Sequence, residues 1–253
     1  MSGAIYPDLD GKVVLVTGGG SGIGASIVRH FTRQKAKVGF IDIAREPSEA
    51  LVATLSAEGA EVVFHEADLT DTASLRNAVE AVRTRLGPIG VLINNAGHDE
   101  RHRIEDVTPE FWDERMAVNL RHQFFAAQTV VPDMKAAGFG SIVNLGSISW
   151  LVGVGGLVAY ATAKAGVLGL TKALARDFGP FNVRVNAIAP GWIMTERQLG
   201  KWVTPEAIAD ALNRQCLKRR LVPADVAKVA MFLSSEEASG CTAQQYIVDG
   251  GWV

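Results

Sequence analysis

The feature that most constrains this chain is an alternation. Short apolar, β-branched runs are separated by longer segments in which apolar residues recur at helical spacing. Strands spaced by a helix length of chain cannot pair through tight hairpins, so the pattern predicts a parallel sheet covered by helices on both faces. Strands are expected at Lys12–Thr17, Lys37–Asp42, Glu61–Glu66, Ile89–Asn94, Ser141–Leu145, Asn182–Ile188 and Gln245–Val248. Helices are expected near Gly22–Gln34, Glu46–Ala57, Thr72–Leu86, Pro109–Ala136, Val158–Phe178, Pro205–Cys216 and from Val222–Pro223 to Leu233. Thr108 before Pro109 reads as the N-cap of the longest of them. No repeat, linker or low-complexity tract interrupts the pattern. It predicts one doubly wound α/β domain over residues 1–253, with a less regular stretch at about 190–221 suited to cover a substrate.

Composition narrows the partners. Apolar residues make up 48% of the 253, enough for a substantial core, and the net charge is -2 with both signs dispersed. Without a basic run, nucleic acid and anionic membrane are poor partners. The apolar stretch Leu151–Leu170 is broken by glycines, Tyr160 and Lys164, so no transmembrane helix is expected. Residues 1–10 lack a positive segment followed by an apolar core, and no secretory signal is expected there. Cys216 and Cys241 lie far apart without metal-ligand spacing, which suits a reduced, cytoplasmic protein.

The first strand runs into Thr17-Gly18-Gly19-Gly20-Ser21-Gly22-Ile23-Gly24 and then into a helix. Glycines allow positive φ and close backbone approach, and a helix N-terminus presents free N–H groups to a pyrophosphate. The turn, with Gly18, Ser21, Gly22, Ile23 and Gly24, thus predicts a dinucleotide site. Asp42 ends the second strand 18 positions after Gly24, where a carboxylate accepts from ribose hydroxyls and repels a 2′-phosphate. With Ile43 beside it and no adjacent basic residue, the cofactor is expected to be NAD. Arg45 is the one side chain nearby that could serve NADP. Asp68, followed by Leu69 after the third strand, is placed to face the adenine.

Tyr160 and Lys164 stand at i and i+4 on one helix face. An adjacent ammonium favours a phenolate and a bound cationic nicotinamide ring would favour it further; a depression of about three units from the two cations corresponds to about 4 kcal/mol. The pair therefore predicts a general base activated by the lysine. Strand five ends in Ser147, thirteen positions before Tyr160. In a parallel sheet that end faces the same crevice as the glycine turn, so Ser147 can donate to the reacting oxygen. Strand four ends in Asn94-Asn95-Ala96-Gly97, whose small residues let a cofactor lie close.

Taken together, Thr17-Gly18-x-x-x-Gly22-Ile23-Gly24, Asn94-Asn95-Ala96-Gly97, Ser147, Tyr160-x-x-x-Lys164 and Pro190-Gly191 resemble the short-chain dehydrogenase/reductase family over nearly the whole chain. The resemblance implies a Rossmann fold, NAD(P)-dependent hydride transfer, and Asn119 as the fourth member of a catalytic tetrad that holds a proton-relay water. It assigns Asn95, Ala96, Gly97, Pro190 and Gly191 to the cofactor, and Ile193 and Thr195 to the nicotinamide carboxamide. It also implies a homotetramer.

Further segments, among them Asp99-Glu100-Arg101-His102, Trp112-Asp113-Glu114-Arg115 and Gly146-Ser147-Ile148-Ser149-Trp150, resemble a branch of that family, the bacterial NAD-dependent D-xylose 1-dehydrogenases. That implies oxidation of an aldose at its anomeric carbon to an aldonolactone. The chain departs from the branch at His98, where asparagine is expected, and in the glycines of Leu151–Leu157. Another aldose, a polyol or a 3-oxoacyl thioester is the nearest competing substrate, and a non-catalytic dinucleotide-binding scaffold is the competing class. His98 and Arg101 are expected in a polar wall facing sugar hydroxyls or in a solvated loop. No metal is expected, since His98-Asp99-Glu100-Arg101-His102 finds no further ligands at metal spacing. Trp150 and Trp192 are expected to flank the cleft, either stacked on a sugar or packed as lid.

Overall fold

The structure, a computed structural model, describes residues 3–201 and 203–253. The strands are β1 (Val13–Thr17), β2 (Lys37–Asp42), β3 (Val62–Glu66), β4 (Val91–Asn94), β5 (Gly140–Leu145), β6 (Val183–Pro190) and β7 (Gln245–Val248). They form a seven-stranded sheet in the order β3-β2-β1-β4-β5-β6-β7 with every pairing parallel. Thr17 is in register with Ile41 on one side and Asn94 on the other. The chain therefore reverses its winding between β1 and β4, and a crevice opens beyond their carboxyl ends.

The helices are α1 (Gly22–Arg33), α2 (Arg45–Ala57), α3 (Thr72–Leu86), α4 (Pro109–Met116), α5 (His122–Ala137), α6 (Val158–Phe178), α7 (Glu196–Lys201), α8 (Pro205–Arg214) and α9 (Pro223–Ser234). Strand periodicity decides which face each packs on. In β1, Val14 and Val16 join Ile27 and Phe31 of α1 and Val226 and Leu233 of α9 in one buried cluster. Val13 and Leu15 point the other way, to Val82 of α3, Val130 and Met134 of α5 and Leu174 of α6. With both faces covered, the strand ends are what remains open to a ligand.

Two expected boundaries change in a way that matters for the site. The long helix expected over Pro109–Ala136 is not continuous: between α4 and α5 the chain makes a π-helical turn, Ala117–Arg121. Asn119 Nδ2 donates to the Arg115 carbonyl at 2.9 Å, the acceptor that an unbroken α-helix commits to the Asn119 amide. A side chain inserted into the ladder widens the turn. In addition, the irregular stretch after β6 contains α7, six residues long, besides the expected α8. Among the described residues no helix is long and apolar enough to cross a membrane.

Candidate active site

A cleft of about 1270 Å³ lies beyond the carboxyl ends of the strands. Gly18 and Gly22 form its first arm with φ of 67° and 53°. A Cβ at Gly24 would come within 1.8 Å of the Gly18 carbonyl oxygen, so only glycine lets the turn close on itself. Ser21 enters α1 without capping it, which leaves the first-turn amides to an external acceptor. Gly18, Ser21, Gly22, Ile23 and Gly24 all line the cleft. Uncapped amides behind a glycine cradle fit a pyrophosphate.

Asp42 fixes the end of this arm. Its Oδ2 accepts from the Gly20 amide at 2.8 Å and its Oδ1 from the Ala44 amide at 3.0 Å. Arg45, the alternative partner for a 2′-phosphate, is paired with Glu66. Ile43, Asp68 and Leu69 line the same end, and Asp68 accepts from the Thr70 amide and hydroxyl. Asn95 does more than line the wall: its Nδ2 donates to the Thr17 and Gly18 carbonyls at 3.0 and 2.8 Å. Thr17 Oγ1 accepts in turn from the Asn95 and Ala96 amides. The glycine turn and the β4 end are thus stapled together.

At the centre, Ser147, Tyr160 and Lys164 all line the cleft. Lys164 is almost wholly buried, and its Nζ donates to the Leu145 carbonyl at 2.8 Å. Asn119 stands behind the floor, fully buried; its Oδ1 accepts from the His98 amide at 2.8 Å. A Cβ at Gly97 would meet Asn119 Oδ1 at 3.1 Å and Lys164 Nζ at 3.2 Å, so this glycine lets the two sit side by side.

Burial pushes Tyr160 up to about 12, with the negative charge of Asp99 adding to the rise. The neighbouring Ser147 hydroxyl, by hydrogen bonding, and the Arg197 charge pull it down. Burial also brings Lys164 down to about 8. Loss of water penalises the charged form of both groups; the ammonium lies 5.6 Å from the ring centre and is engaged by a carbonyl.

The substrate end begins at His98. Its backbone is bound on both sides by Asn119, and its Nδ1 meets the buried Arg115. Arg115 can only donate, so this Nδ1 accepts and the ring is neutral. Burial, then the charges of Arg197 and Arg115, lower its pKa. Arg101 and Trp192 line this end, as do Pro190, Gly191, Ile193 and Thr195 at the β6 exit. Trp150 does not. It rides a tight turn in which the Leu151 and Val152 amides both reach back to the Ile148 carbonyl, and Ser149, Val152 and Val154 line the cleft instead. Among the described residues, no group of three or more His, Cys, Asp or Glu side chains is arranged to hold a metal.

Sequence reasoning missed several residues at this end. Arg115, buried between His98, Glu100 and Glu114, sits in an otherwise ordinary amphipathic helix. Asp99 meets Gln198 and Arg197 across 99 and 98 residues of chain. Trp252 lines the cleft because Asp249 Oδ1 and Oδ2 accept from the Gly251 and Val253 amides and fold the last residues back. Spacing alone cannot signal such long-range pairings.

The sequence model of one family, described as enoyl-(acyl carrier protein) reductase, matches residues 18–253. The D-xylose 1-dehydrogenase of Caulobacter vibrioides is 50% identical over 252 residues, covering all of both chains. The probable galactose dehydrogenase GalD of Rhizobium meliloti is 51% identical over 247 residues, 97% of this chain and 96% of that one. Among solved structures, a candidate short-chain alcohol dehydrogenase from Sinorhizobium meliloti 1021 superposes with a TM-score of 0.92 at 33% identity, covering 97% and 98% of the two chains. With a Rossmann fold and these matches along its length, the chain belongs to the short-chain dehydrogenase/reductase family of oxidoreductases.

Proposed function

We propose that this protein oxidises an aldose of the D-xylose or D-galactose type at its anomeric carbon, with NAD, to an aldonolactone. The observation that carries this is one cleft in which Tyr160, Ser147 and Lys164 meet the uncapped glycine turn and the Asp42 carboxylate. The relatives named D-xylose 1-dehydrogenase and galactose dehydrogenase support the substrate class.

When bound, NAD supplies the hydride acceptor. The glycine turn would hold its pyrophosphate, Asp42 its adenosine ribose, and Ile193 and Thr195 its carboxamide. Ser147 donates to the anomeric hydroxyl and orients it, and Tyr160 takes the hydroxyl proton as C1 loses hydride. Lys164 would hold the nicotinamide ribose and, together with the positive ring, draw the phenol down from its cofactor-free value. Asn119, beside Lys164, supports the onward passage of the proton. His98, Arg101 and Trp192 wall the sugar.

The preference for NAD is supported by Asp42, held by two amides at the end of the second strand with a charge that would repel a 2′-phosphate, and by Arg45, engaged by Glu66. We read the chain as one domain in which residues 190–221 cover the substrate, as a homotetramer, and, from its two free cysteines, as cytoplasmic. The test is absorbance of reduced nicotinamide on mixing protein with D-xylose, D-galactose, polyols and either NAD or NADP. Turnover of an aldose with NAD is expected. Dinucleotide binding without turnover on any sugar or alcohol would overturn the reading in favour of a binding scaffold.

A further inference from the structure

Apart from the hydride-transfer residues, one set of contacts spans the mouth of the cleft. Asp99 follows the β4 end, and Gln198 lies on α7. Gln198 Nε2 donates to Asp99 Oδ2 at 2.8 Å, and Gln198 Oε1 accepts from Trp192 Nε1 at 2.9 Å. An ionised carboxylate only accepts and an indole N–H only donates, so one orientation of the amide satisfies both partners. Arg197 pairs with the other oxygen of Asp99 at 3.4 Å, and the Gln198 backbone N–H donates to Thr195 Oγ1 at 3.3 Å. A Cβ at Gly22 would come within 3.2 Å of the Thr195 methyl, so the chain of contacts runs from the glycine turn to the far wall.

A six-residue helix has too little hydrogen bonding to persist without tertiary contacts. Among the described residues, Gln198 and Arg197 tie α7 to the Asp99 carboxylate, and Gln198 also ties it to Trp192. Trp192, with its N–H engaged, is fixed in rotation where it lines the cleft. Asp99 and Arg197, both in this set of contacts, lie near enough for their charges to act on the Tyr160 phenol.

We propose that Gln198 is a substrate-positioning residue: by joining Asp99 to Trp192 it holds α7 and the indole as the closed wall of the sugar pocket. The identity of the substrate rests on the aldose reading above; the bridge itself does not.

Reversing the polarity of the pair tests the proposal. Gln198→Leu removes both bonds, and Gln198→Glu sets two carboxylates face to face. Asp99→Asn with Gln198→Glu restores a donor opposite an acceptor with no change in charge from wild type. Each Gln198 single variant is expected to raise KM for D-xylose about tenfold while kcat changes by less than about threefold, and the double variant to return KM to within about threefold of wild type. In the full-length protein without cofactor, amide deuterium exchange of residues 192–200 should rise in both single variants and fall again in the double. Unchanged KM and exchange in Gln198→Leu, or a double variant no better than Gln198→Glu, would overturn the bridge. If the wild type oxidises no sugar, the aldose reading fails, and the exchange measurement alone decides whether the bridge stands.

Discussion

At the scale of single residues the balance is between burial and charge. Tyr160 at about 12 and Lys164 at about 8 are both shifted toward their neutral forms by loss of water. A base must give up its proton before it can take another, so oxidation is expected to accelerate as pH rises. Removing the hydroxyl removes the base: Tyr160→Phe should lower kcat by about 10²- to 10⁴-fold, with dinucleotide affinity, read by tryptophan fluorescence, retained. Asp42→Ala removes the carboxylate that would repel a 2′-phosphate. It should lower the NAD-to-NADP ratio of kcat/KM by about tenfold or more, measured with both cofactors at one sugar concentration. Ser147, Tyr160, Lys164 and the glycine turn, which line one cleft, were legible in the sequence because each rests on fixed spacing within one element or at one strand end, whereas Asn119 came only from the family resemblance. Arg115, Asp99 and Gln198 were not, since each acquires its meaning from a partner that only the folded chain brings near.

At the scale of elements, the π-helical turn matters most. Helices such as α3 and α6 could be read from apolar periodicity, which their uninterrupted hydrogen bonding preserves. The break after α4 could not, because one widened turn hardly disturbs the periodicity; its visible mark is where the Asn119 side chain goes. Likewise α7 is too short for a periodic stripe, and the turn at Ile148 carries Trp150 away from the cleft lining that its position suggested. Asn119→Ala would leave the His98 amide and the Arg115 carbonyl without their side-chain partner. We expect a loss of about 1–3 kcal/mol in unfolding free energy, measured by urea titration, and a fall in kcat beyond what dinucleotide affinity explains.

At the scale of the whole molecule, two consequences follow. The first is acid lability. His122, buried at the start of α5, is brought down to about 3 by burial and the nearby Lys164 charge. The unfolded chain protonates this group near pH 6.5 and the folded one resists until about 3, so its contribution is present above 6.5 and is lost as pH falls. His122→Leu should therefore narrow the difference between urea midpoints at pH 7 and pH 4.5; an undiminished difference would assign the acid limb to other groups. The second is assembly. Phe124 on α5, Val158 on α6, and Ile247 and Val253 near the C-terminus stay exposed in the single chain. A homotetramer covering them predicts a mass in solution of four times 27.0 kDa by light scattering.

The most direct test of the account is the pH profile of kcat for aldose oxidation at saturating NAD, compared between wild type and Lys164→Met. If a half-buried phenol is the base and the lysine charge helps to ionise it, the acid limb should move at least about one unit toward higher pH in the variant. An acid limb at the same pH in both proteins would contradict it.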